Sequence, residues 1–203
     1  MSELETIETM GQQVADMEER AGKYLTFKLA EEEYGLEILK VREIMGLMPV
    51  TRVPQTPAFV RGVINLRGKV IPVVDLRMKF GMPCIEDTEE TCIIVVDVAR
   101  KGQVTNMGIV VDRVEEVLDI SGNDIEDTPS LGAGVNTDFI LGMGKVGDKV
   151  KMLLDINRVL LSATGATQEL LTASRKVKED AAGSSAETES KNTDNTGDEE
   201  EVN

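Results

Sequence analysis

The segment Phe59–Leu76, FVRGVINLRGKVIPVVDL, is the most informative about the fold because its pattern returns at Phe139–Ile156 as FILGMGKVGDKVKMLLDI. Each segment holds two apolar stretches separated by a short polar turn, which is typical of a β-hairpin. Aligned without gaps at an offset of 80, the segments match Phe59 with Phe139, Gly62 with Gly142, Lys69 with Lys149, Val70 with Val150 and Asp75 with Asp155. The sequence therefore predicts an internally repeated β unit.

A second pair of segments supports the duplication. Tyr34–Met45 aligns with Met107–Leu118 at an offset of 73, and the matches are Gly35 with Gly108, Val41 with Val114 and Glu43 with Glu116. Two pairs in the same order at nearly the same offset indicate a repeated unit of about 70 residues. Because units of that size are marginally stable alone, we expect the two to share an interface.

Short strands with glycine-containing turns make up most of the chain. Leu25, Phe27 and Leu29 alternate with polar residues and predict a half-buried strand. Further strands are predicted at Val60–Leu66, Val70–Leu76, Thr91–Val98 and Gly108–Leu118. The predicted fold class is mainly β, with two small β subdomains at about residues 23–85 and 90–160 that pack together, and with helices at the termini.

The two ends of the chain differ from its centre. Residues 1–22 place apolar side chains at spacings of three and four, which predicts a helical segment, and residues 163–178 are expected to form a C-terminal helix. Residues 179–203 are acidic and almost free of large apolar residues, so a disordered tail is expected. Of the net charge of −15, only −4 belongs to residues 21–175, so the acidity says little about ligands.

The composition argues against catalysis and metal binding. The chain has no histidine, which removes the commonest general base and metal ligand. Cys84 and Cys92 have seven residues between them and no CxxC pair, and they are best interpreted as buried reduced thiols. No apolar run approaches the roughly 20 residues that span a bilayer, and the N-terminus lacks a secretory signal. We expect no enzyme activity, no catalytic residue, no metal, no cofactor and no membrane insertion, in a cytoplasmic protein.

A nucleic-acid-binding β-barrel is the alternative interpretation. Six basic residues lie within one span: Arg52, Arg61, Arg67, Lys69, Arg77 and Lys79. Small barrels bind single strands by combining such a basic groove with stacking aromatic residues. This chain has no Trp, two Tyr and four Phe, so the stacking surface is poor and nucleic acid is not the expected partner.

Three segments are long, ordered motifs: Thr56–Gly68 (TPAFVRGVINLRG) with the following Ile71–Leu76 (IPVVDL), Tyr34–Ile44 (YGLEILKVREI) and Gly108–Val114 (GIVVDRV). These segments resemble the CheW family of chemotaxis coupling proteins. The likeness runs from about Tyr24 to Leu161, and we place a CheW-like domain at residues 23–162.

The resemblance implies two five-stranded β-barrels packed around a shared core. It also implies a non-enzymatic adaptor that couples methyl-accepting chemoreceptors to the histidine kinase CheA. One face would dock the regulatory domain of CheA, and the groove between the subdomains would take the helical tip of a receptor. Other CheW copies are further possible partners, and the cytoplasmic protein would be recruited to membrane-associated receptor arrays.

Mapped onto matching positions, the resemblance assigns five residues to the receptor groove: Val41, Glu43, Arg67, Val114 and Val117. Gly62, Asn65 and Gly68 are expected to form a structural turn. Glu43 and Arg67 are also expected to pair with each other, and in a partly buried pair the loss of one partner costs about 3–5 kcal/mol. The three valines are equally consistent with core positions, because alternation does not identify the face that meets a partner.

Overall fold

The structure is a computed structural model that describes residues 20–100, 102–129 and 137–161. Within these ranges the chain forms eleven strands and two short α-helices. The strands of the first half are β1 (Gly22–Leu29), β2 (Glu32–Glu37), β3 (Val41–Gly46), β4 (Val60–Leu66) and β5 (Lys69–Asp75). Those of the second half are β6 (Cys92–Arg100), β7 (Gln103–Val111), β8 (Arg113–Ile120), β9 (Ile125–Glu126), β10 (Ile140–Val146) and β11 (Lys149–Leu154). The helices are α1 (Leu76–Lys79) and α2 (Ile156–Leu161), and 3-10 turns occupy Ile38–Lys40 and Gly122–Asp124.

The strands form two sheets that exchange elements between the repeats. One sheet has the order β8-β1-β2-β11-β10-β9, and the other has the order β3-β6-β7-β5-β4. The first two strands of each repeat therefore pair with the remaining strands of the other repeat. The prediction of a mainly β protein with two packed β subdomains is confirmed, but one sheet has six strands rather than five. The predicted division into residues 23–85 and 90–160 does not match the sheets, because each sheet draws strands from both ranges.

Equivalent glycines, Gly35 in β2 and Gly108 in β7, lie where a strand of one repeat pairs with a strand of the other. The exchanged strands join their new sheets through two parallel contacts, in which Gly35 lies opposite Leu153 and Gly108 lies opposite Val73. A Cβ atom at Gly35 would lie 2.8 Å from a methyl group of Leu153, and one at Gly108 would lie 3.0 Å from Ile93 and 3.2 Å from Val73. Contacts this short would force the side chains of Leu153, Ile93 and Val73 to shift if either glycine carried a Cβ atom. The repeated glycine is therefore explained by close strand packing.

Three apolar clusters fill the molecule. The interior of the five-stranded sheet holds a cluster around Ile64, Val73 and Ile93, and the six-stranded sheet encloses a second around Tyr24 and Leu153. The largest cluster joins the two sheets and contains Leu25, Phe27, Leu36, Val74, Ile94, Val96, Ile109, Leu154 and Ile156, among others. We call this largest cluster the shared core. Burial on both faces is what two barrels packed together require.

The segment that follows β3 in the five-stranded sheet runs beside the outer strand β4. After β3 the chain returns to β4, where Thr51 and Val63 exchange two backbone hydrogen bonds of 2.9 Å. This bridge covers the outer edge of β4, which would otherwise present unpaired backbone groups.

Two strand predictions are corrected by this packing. β1 was expected to be half-buried, but Tyr24, Leu25, Thr26 and Phe27 are all buried because the shared core covers one face and the barrel interior the other. The buried hydroxyl of Thr26 donates to the carbonyl of Glu116 at 2.8 Å, which satisfies its hydrogen-bonding capacity. The predicted strand Gly108–Leu118 is two strands, because the chain bends between β7 and β8 and passes from one sheet to the other.

Both helices begin at the aspartate that the repeat preserves. Asp75 Oδ1 accepts a hydrogen bond from the backbone N of Met78 at 3.1 Å, and Asp155 Oδ1 accepts from Arg158 N at 3.1 Å. These are N-caps, which satisfy donors left free in the first helical turn. In α2 the side chains of Ile156, Val159 and Leu160 are buried in the shared core. The predicted C-terminal helix at 163–178, the tail at 179–203 and nearly all of the helical segment at 1–22 lie outside the described residues.

Candidate partner-binding site

The candidate residues on β3 lie on an outer strand of the five-stranded sheet. Val41 is paired with Val96, and Ile44 is paired with Ile94, and both of those partners belong to the shared core. Because directly paired residues of antiparallel strands point to the same face, Val41 and Ile44 face the side of the sheet that carries the shared core. Val41 is half-buried against that core, whereas Ile44 is 42% exposed.

β8 repeats this arrangement on an outer strand of the six-stranded sheet. Val114 is paired with Phe27 and Val117 with Leu25, and both partners again belong to the shared core. Val114 is half-buried against the core, and Val117 is 47% exposed. The repeat offset of 73 relates Val41 to Val114 and Ile44 to Val117. We call these four residues the edge-strand surface.

The two strands of this surface converge on one short segment. The backbone N of Leu47, just after β3, donates to the carbonyl of Thr91 at 3.2 Å. Arg113, the first residue of β8, places Nη1 3.3 Å from Glu90 Oε1. One end of the edge-strand surface is therefore fixed to the segment that links the repeats.

Burial separates two roles within the edge-strand surface. Val41 and Val114 are packed on the shared core and support the fold, while Ile44 and Val117 present apolar area to solvent. Sequence reasoning named Val117 but missed Ile44. The repeat offset would have found it, because Ile44 occupies the position equivalent to Val117.

The expected pair between Glu43 and Arg67 forms, but it is not buried. Arg67 Nη2 lies 2.8 Å from Glu43 Oε1, and the side chains are 78% and 29% exposed, respectively. An ion pair this open to water contributes roughly 0.2–1 kcal/mol, well below the 3–5 kcal/mol expected for a partly buried pair. Most of the Arg67 side chain is thus available to a partner.

The turn residues divide between a hairpin turn and a bulge. Asn65 Oδ1 accepts a hydrogen bond from Gly68 N at 2.9 Å, while Arg67 and Gly68 have positive φ angles of 52° and 81°. These two central residues make a two-residue hairpin turn of the type that requires left-handed backbone. Gly62 is not in this turn. It lies at a register shift inside β4 with φ 138°, and a Cβ there would be 2.1 Å from the carbonyl oxygen of Thr51.

Two further arginines of the basic span, Arg61 and Arg77, are held by carboxylates of the chain itself. Arg61 contacts Asp75 at 2.9 Å and Asp87 through two hydrogen bonds of 2.7 Å. Hydrogen bonding to Asp87 raises the pKa of Arg61, and the same bonds lower the pKa of Asp87. Arg77 Nη1 lies 2.5 Å from Asp112 Oδ2. Arg61 thereby stabilises the segment between the repeats, and Arg77 stabilises the bend between β7 and β8.

Aromatic residues are likewise used internally. Phe27, Tyr34, Phe80 and Phe139 form a continuous stack with centroid distances of 5.8, 5.9 and 5.5 Å. All four contribute to the shared core. With Arg61, Arg67 and Arg77 paired and these four rings packed inside, the residues that the structure describes do not form the basic, aromatic-lined groove that single-stranded nucleic acid requires.

The two cysteines are not buried as predicted, because Cys84 is exposed and Cys92 is half-buried. Across the described ranges, no group of three or more His, Cys, Asp or Glu side chains is placed to hold a metal ion. In the same part of the chain, no helix is long and apolar enough to cross a bilayer.

Comparison with known proteins agrees with this architecture. Residues 23–164 match the family model of the CheW-like domain. A chemotaxis protein CheW of Klebsiella aerogenes is 39% identical over 140 residues, covering 69% of this chain and 82% of the relative. A chemotaxis protein CheW of Thermotoga maritima is 32% identical over 143 residues, covering 69% and 88%.

A solved structure provides the same result in three dimensions. The scaffolding protein TtCheW of Thermoanaerobacter tengcongensis superposes with a TM-score of 0.63 at 37% sequence identity, covering 71% of this chain and 95% of that chain. The family match spans more than half of the sequence and both sheets of the structure. This chain therefore belongs to the CheW-like domain family.

Proposed function

We propose that this protein is a non-enzymatic chemotaxis adaptor that couples methyl-accepting chemoreceptors to the histidine kinase CheA. Membership of the CheW-like family and the relatives named as chemotaxis and scaffolding proteins support the proposal. The observation that carries it within the structure is the edge-strand surface, where two equivalent outer strands expose apolar side chains beside the shared core.

The partners follow from the shape and chemistry of the surface. A helix laid along the edge-strand surface would cover Ile44 and Val117, as amphipathic helices do in apolar grooves. We assign this occupant to the helical tip of a receptor, with Val41, Val114, Glu43 and Arg67 beside it. The regulatory domain of CheA would dock on another face, and further copies of the adaptor would join the same array. The protein would act in the cytoplasm, recruited to membrane-associated arrays.

Such an adaptor transmits a signal by differential binding. A partner that binds two receptor states with unequal affinity shifts their populations, whereas equal affinity shifts nothing. Individually weak contacts gain strength when many copies are tethered in one array, because the effective concentration rises.

The proposal is tested by sedimentation and pulldown with purified CheA and a receptor cytoplasmic fragment. Wild-type protein should bind both. Val117→Asp should weaken receptor binding by about tenfold or more, since a charge would replace buried apolar contact area. Val150→Asp is the matched control, because Val150 is a 56% exposed valine on β11 outside the edge-strand surface. Failure of the wild type to bind either partner would overturn the proposed function, and equal losses in both variants would remove the surface assignment.

A further inference from the structure

The two strands of the edge-strand surface are terminal strands of different sheets. β3 is the last strand beside β6, and β8 is the last strand beside β1. A terminal strand is hydrogen-bonded to its sheet along one edge, so contacts at its ends help to fix its position. Ile44 lies three residues before Leu47, and Val117 lies four residues after Arg113. Leu47 and Arg113 are the residues at which those end contacts are made.

Both end contacts are made to residues 82–91, which we call the linker. The backbone N of Leu47 donates to the carbonyl of Thr91 at 3.2 Å, and Arg113 Nη1 lies 3.3 Å from Glu90 Oε1. Glu90 and Thr91 are adjacent in the chain. Strands of two different sheets are therefore attached to neighbouring residues of one short segment.

Arg61 of β4 clamps the linker to the body of the protein. Its guanidinium makes two hydrogen bonds of 2.7 Å to Asp87, and it also lies 2.9 Å from the buried carboxylate of Asp75. A two-point contact of this kind fixes orientation as well as distance. The next residue, Thr88, donates its backbone N–H to Thr91 Oγ1 at 2.8 Å. The turn that holds β3 and β8 therefore begins directly after the clamp.

The start of the linker has a separate attachment. Arg77 Nε donates to the carbonyl of Pro83 at 3.2 Å, and the backbone N of Met82 donates to the carbonyl of Arg77 at 2.8 Å. Loss of the Asp87 contact would therefore loosen the later part of the linker and leave its beginning attached.

We propose that the pair of Arg61 and Asp87 positions the receptor surface by holding the linker, which fixes β3 relative to β8. Ile44 and Val117 are thereby presented in one arrangement before a partner arrives. A surface that is already ordered binds more tightly, because less conformational freedom is lost on binding. Arg61 and Asp87 are positioning residues that act through the linker. The inference rests on the proposed function, which assigns the receptor tip to this surface.

The first test measures the affinity of the full chain for a receptor cytoplasmic fragment. Asp87→Ala removes both hydrogen bonds of 2.7 Å while Arg61 keeps Asp75, and it should weaken receptor binding by about fivefold. Asp87→Asn keeps one acceptor oxygen and should give an intermediate loss. Glu86→Ala is the matched control, because it removes the adjacent exposed carboxylate and should bind as the wild type does. Binding to CheA should be the same for all variants, with melting temperatures confirming that each is folded.

The second test measures the distance between the two strands directly. Spin labels are attached at Gly46→Cys in β3 and Glu116→Cys in β8, in a chain whose two native cysteines are replaced by alanine. Gly46 accepts a side chain, since a Cβ there meets no atom within 4 Å, and Glu116 is exposed. The distance distribution from electron paramagnetic resonance should broaden in Asp87→Ala and stay unchanged in Glu86→Ala.

The two readouts together decide the inference. Weaker receptor binding with a broadened distance distribution supports it. Weaker binding with an unchanged distribution would overturn it, because Asp87 would then act without moving the strands. Unchanged affinity in Asp87→Ala would overturn it as well and leave the adaptor function intact. Absence of receptor binding by the wild type would overturn both.

Discussion

The hairpins β4–β5 and β10–β11 share one sequence pattern, but the side chains at their tips differ. They keep the residues that backbone geometry requires: Gly62 and Gly142 both lie at register shifts, and Asp75 and Asp155 both cap the helix that follows. They differ at the hairpin tip, where Arg67 faces Gly147 in the alignment. The repeats are therefore alike at positions that the backbone geometry requires. They differ at the hairpin tip, where Arg67 has an ion-pair partner and Gly147 has no side chain.

The parallel contacts that join the exchanged strands also differ. In β5, Ile71 is buried in the interior cluster of its sheet. Its counterpart in β11 is Lys151, which is buried and pairs with Glu33 of β2, as does Lys149. Apolar packing therefore stabilises the β5–β7 contact, and an ionic cluster stabilises the β11–β2 contact. Only the stability of the β11–β2 contact should depend on pH.

Alanine substitutions at the bulge glycines, Gly62 and Gly142, should give the largest difference in stability between the repeats. Gly62→Ala would place a Cβ 2.1 Å from a backbone oxygen at φ 138°, so we expect a loss of at least about 4 kcal/mol in the free energy of unfolding. Gly142→Ala meets a side-chain methyl at 2.7 Å and a carbonyl oxygen at 2.9 Å, for which overpacking predicts about 2 kcal/mol. Urea unfolding of both variants measures the difference, and equal losses would contradict the assigned bulge geometry.

Glu33 offers a pH-dependent way to distinguish the two exchanges. Hydrogen bonds from Lys149 and Lys151 lower the pKa of Glu33 from 4.5 to about 2. Because the folded pKa lies below the unfolded one, the stabilisation is present above pH 4.5 and is lost as pH falls towards about 2. Glu33→Gln should remove this dependence and reduce stability at pH 7 by about 3 kcal/mol.

Thermal unfolding between pH 2 and pH 7 checks this prediction. Glu32→Gln is the matched control, because it removes an adjacent but exposed carboxylate and should leave the pH profile unchanged. A wild-type profile that is flat below pH 4.5 would show that the ionic cluster does not stabilise the β11–β2 contact.

Removing the helix caps should give a smaller difference in stability between the repeats. Asp75 caps α1 and also holds Arg61, so Asp75→Ala should cost about 3 kcal/mol. Asp155 caps α2 and pairs with an exposed arginine, so Asp155→Ala should cost about 1 kcal/mol. Chemical denaturation gives both values, and the asymmetry should vanish in an Arg61→Ala background, since Arg61 is its cause.

The repeat explains how far sequence could predict this structure. The hairpins follow from residues that are close in sequence and matched between the repeats, whereas the Glu43–Arg67 pair was expected only at positions that the family resemblance selected. The strand exchange does not, because alternation identifies apolar residues but not the strand that each one pairs with. Gly35 and Gly108 mark the exchange, yet their meaning depends on Leu153 and Val73, which are distant in sequence.

The candidate site was predictable in part for the same reason. Val117 and Val114 are three residues apart on one strand, but only the pairing with Leu25 and Phe27 shows that both face the shared core. Their different exposure arises because Val114 is packed against that core while Val117 extends beyond it. The energy of the Glu43–Arg67 pair was overestimated, because the exposure of a hairpin tip depends on the packing around it.

The smallest expected effect on stability is at the hairpin tips. Arg67 holds a left-handed backbone that costs a residue with a Cβ roughly 1–2 kcal/mol, and Arg67→Gly relieves that strain while losing an exposed ion pair. The free energy of unfolding should therefore rise by less than about 1 kcal/mol or stay unchanged.

Gly147→Arg imposes the strain on the other hairpin, and a new pair with Glu116 should offset part of it. Glu116→Gln in the Gly147→Arg background should then lower stability further, and the same substitution in the wild type should not. A double-mutant cycle by urea unfolding measures this coupling, and a value of zero would mean that Glu116 and the second hairpin tip do not meet as Glu43 and Arg67 do.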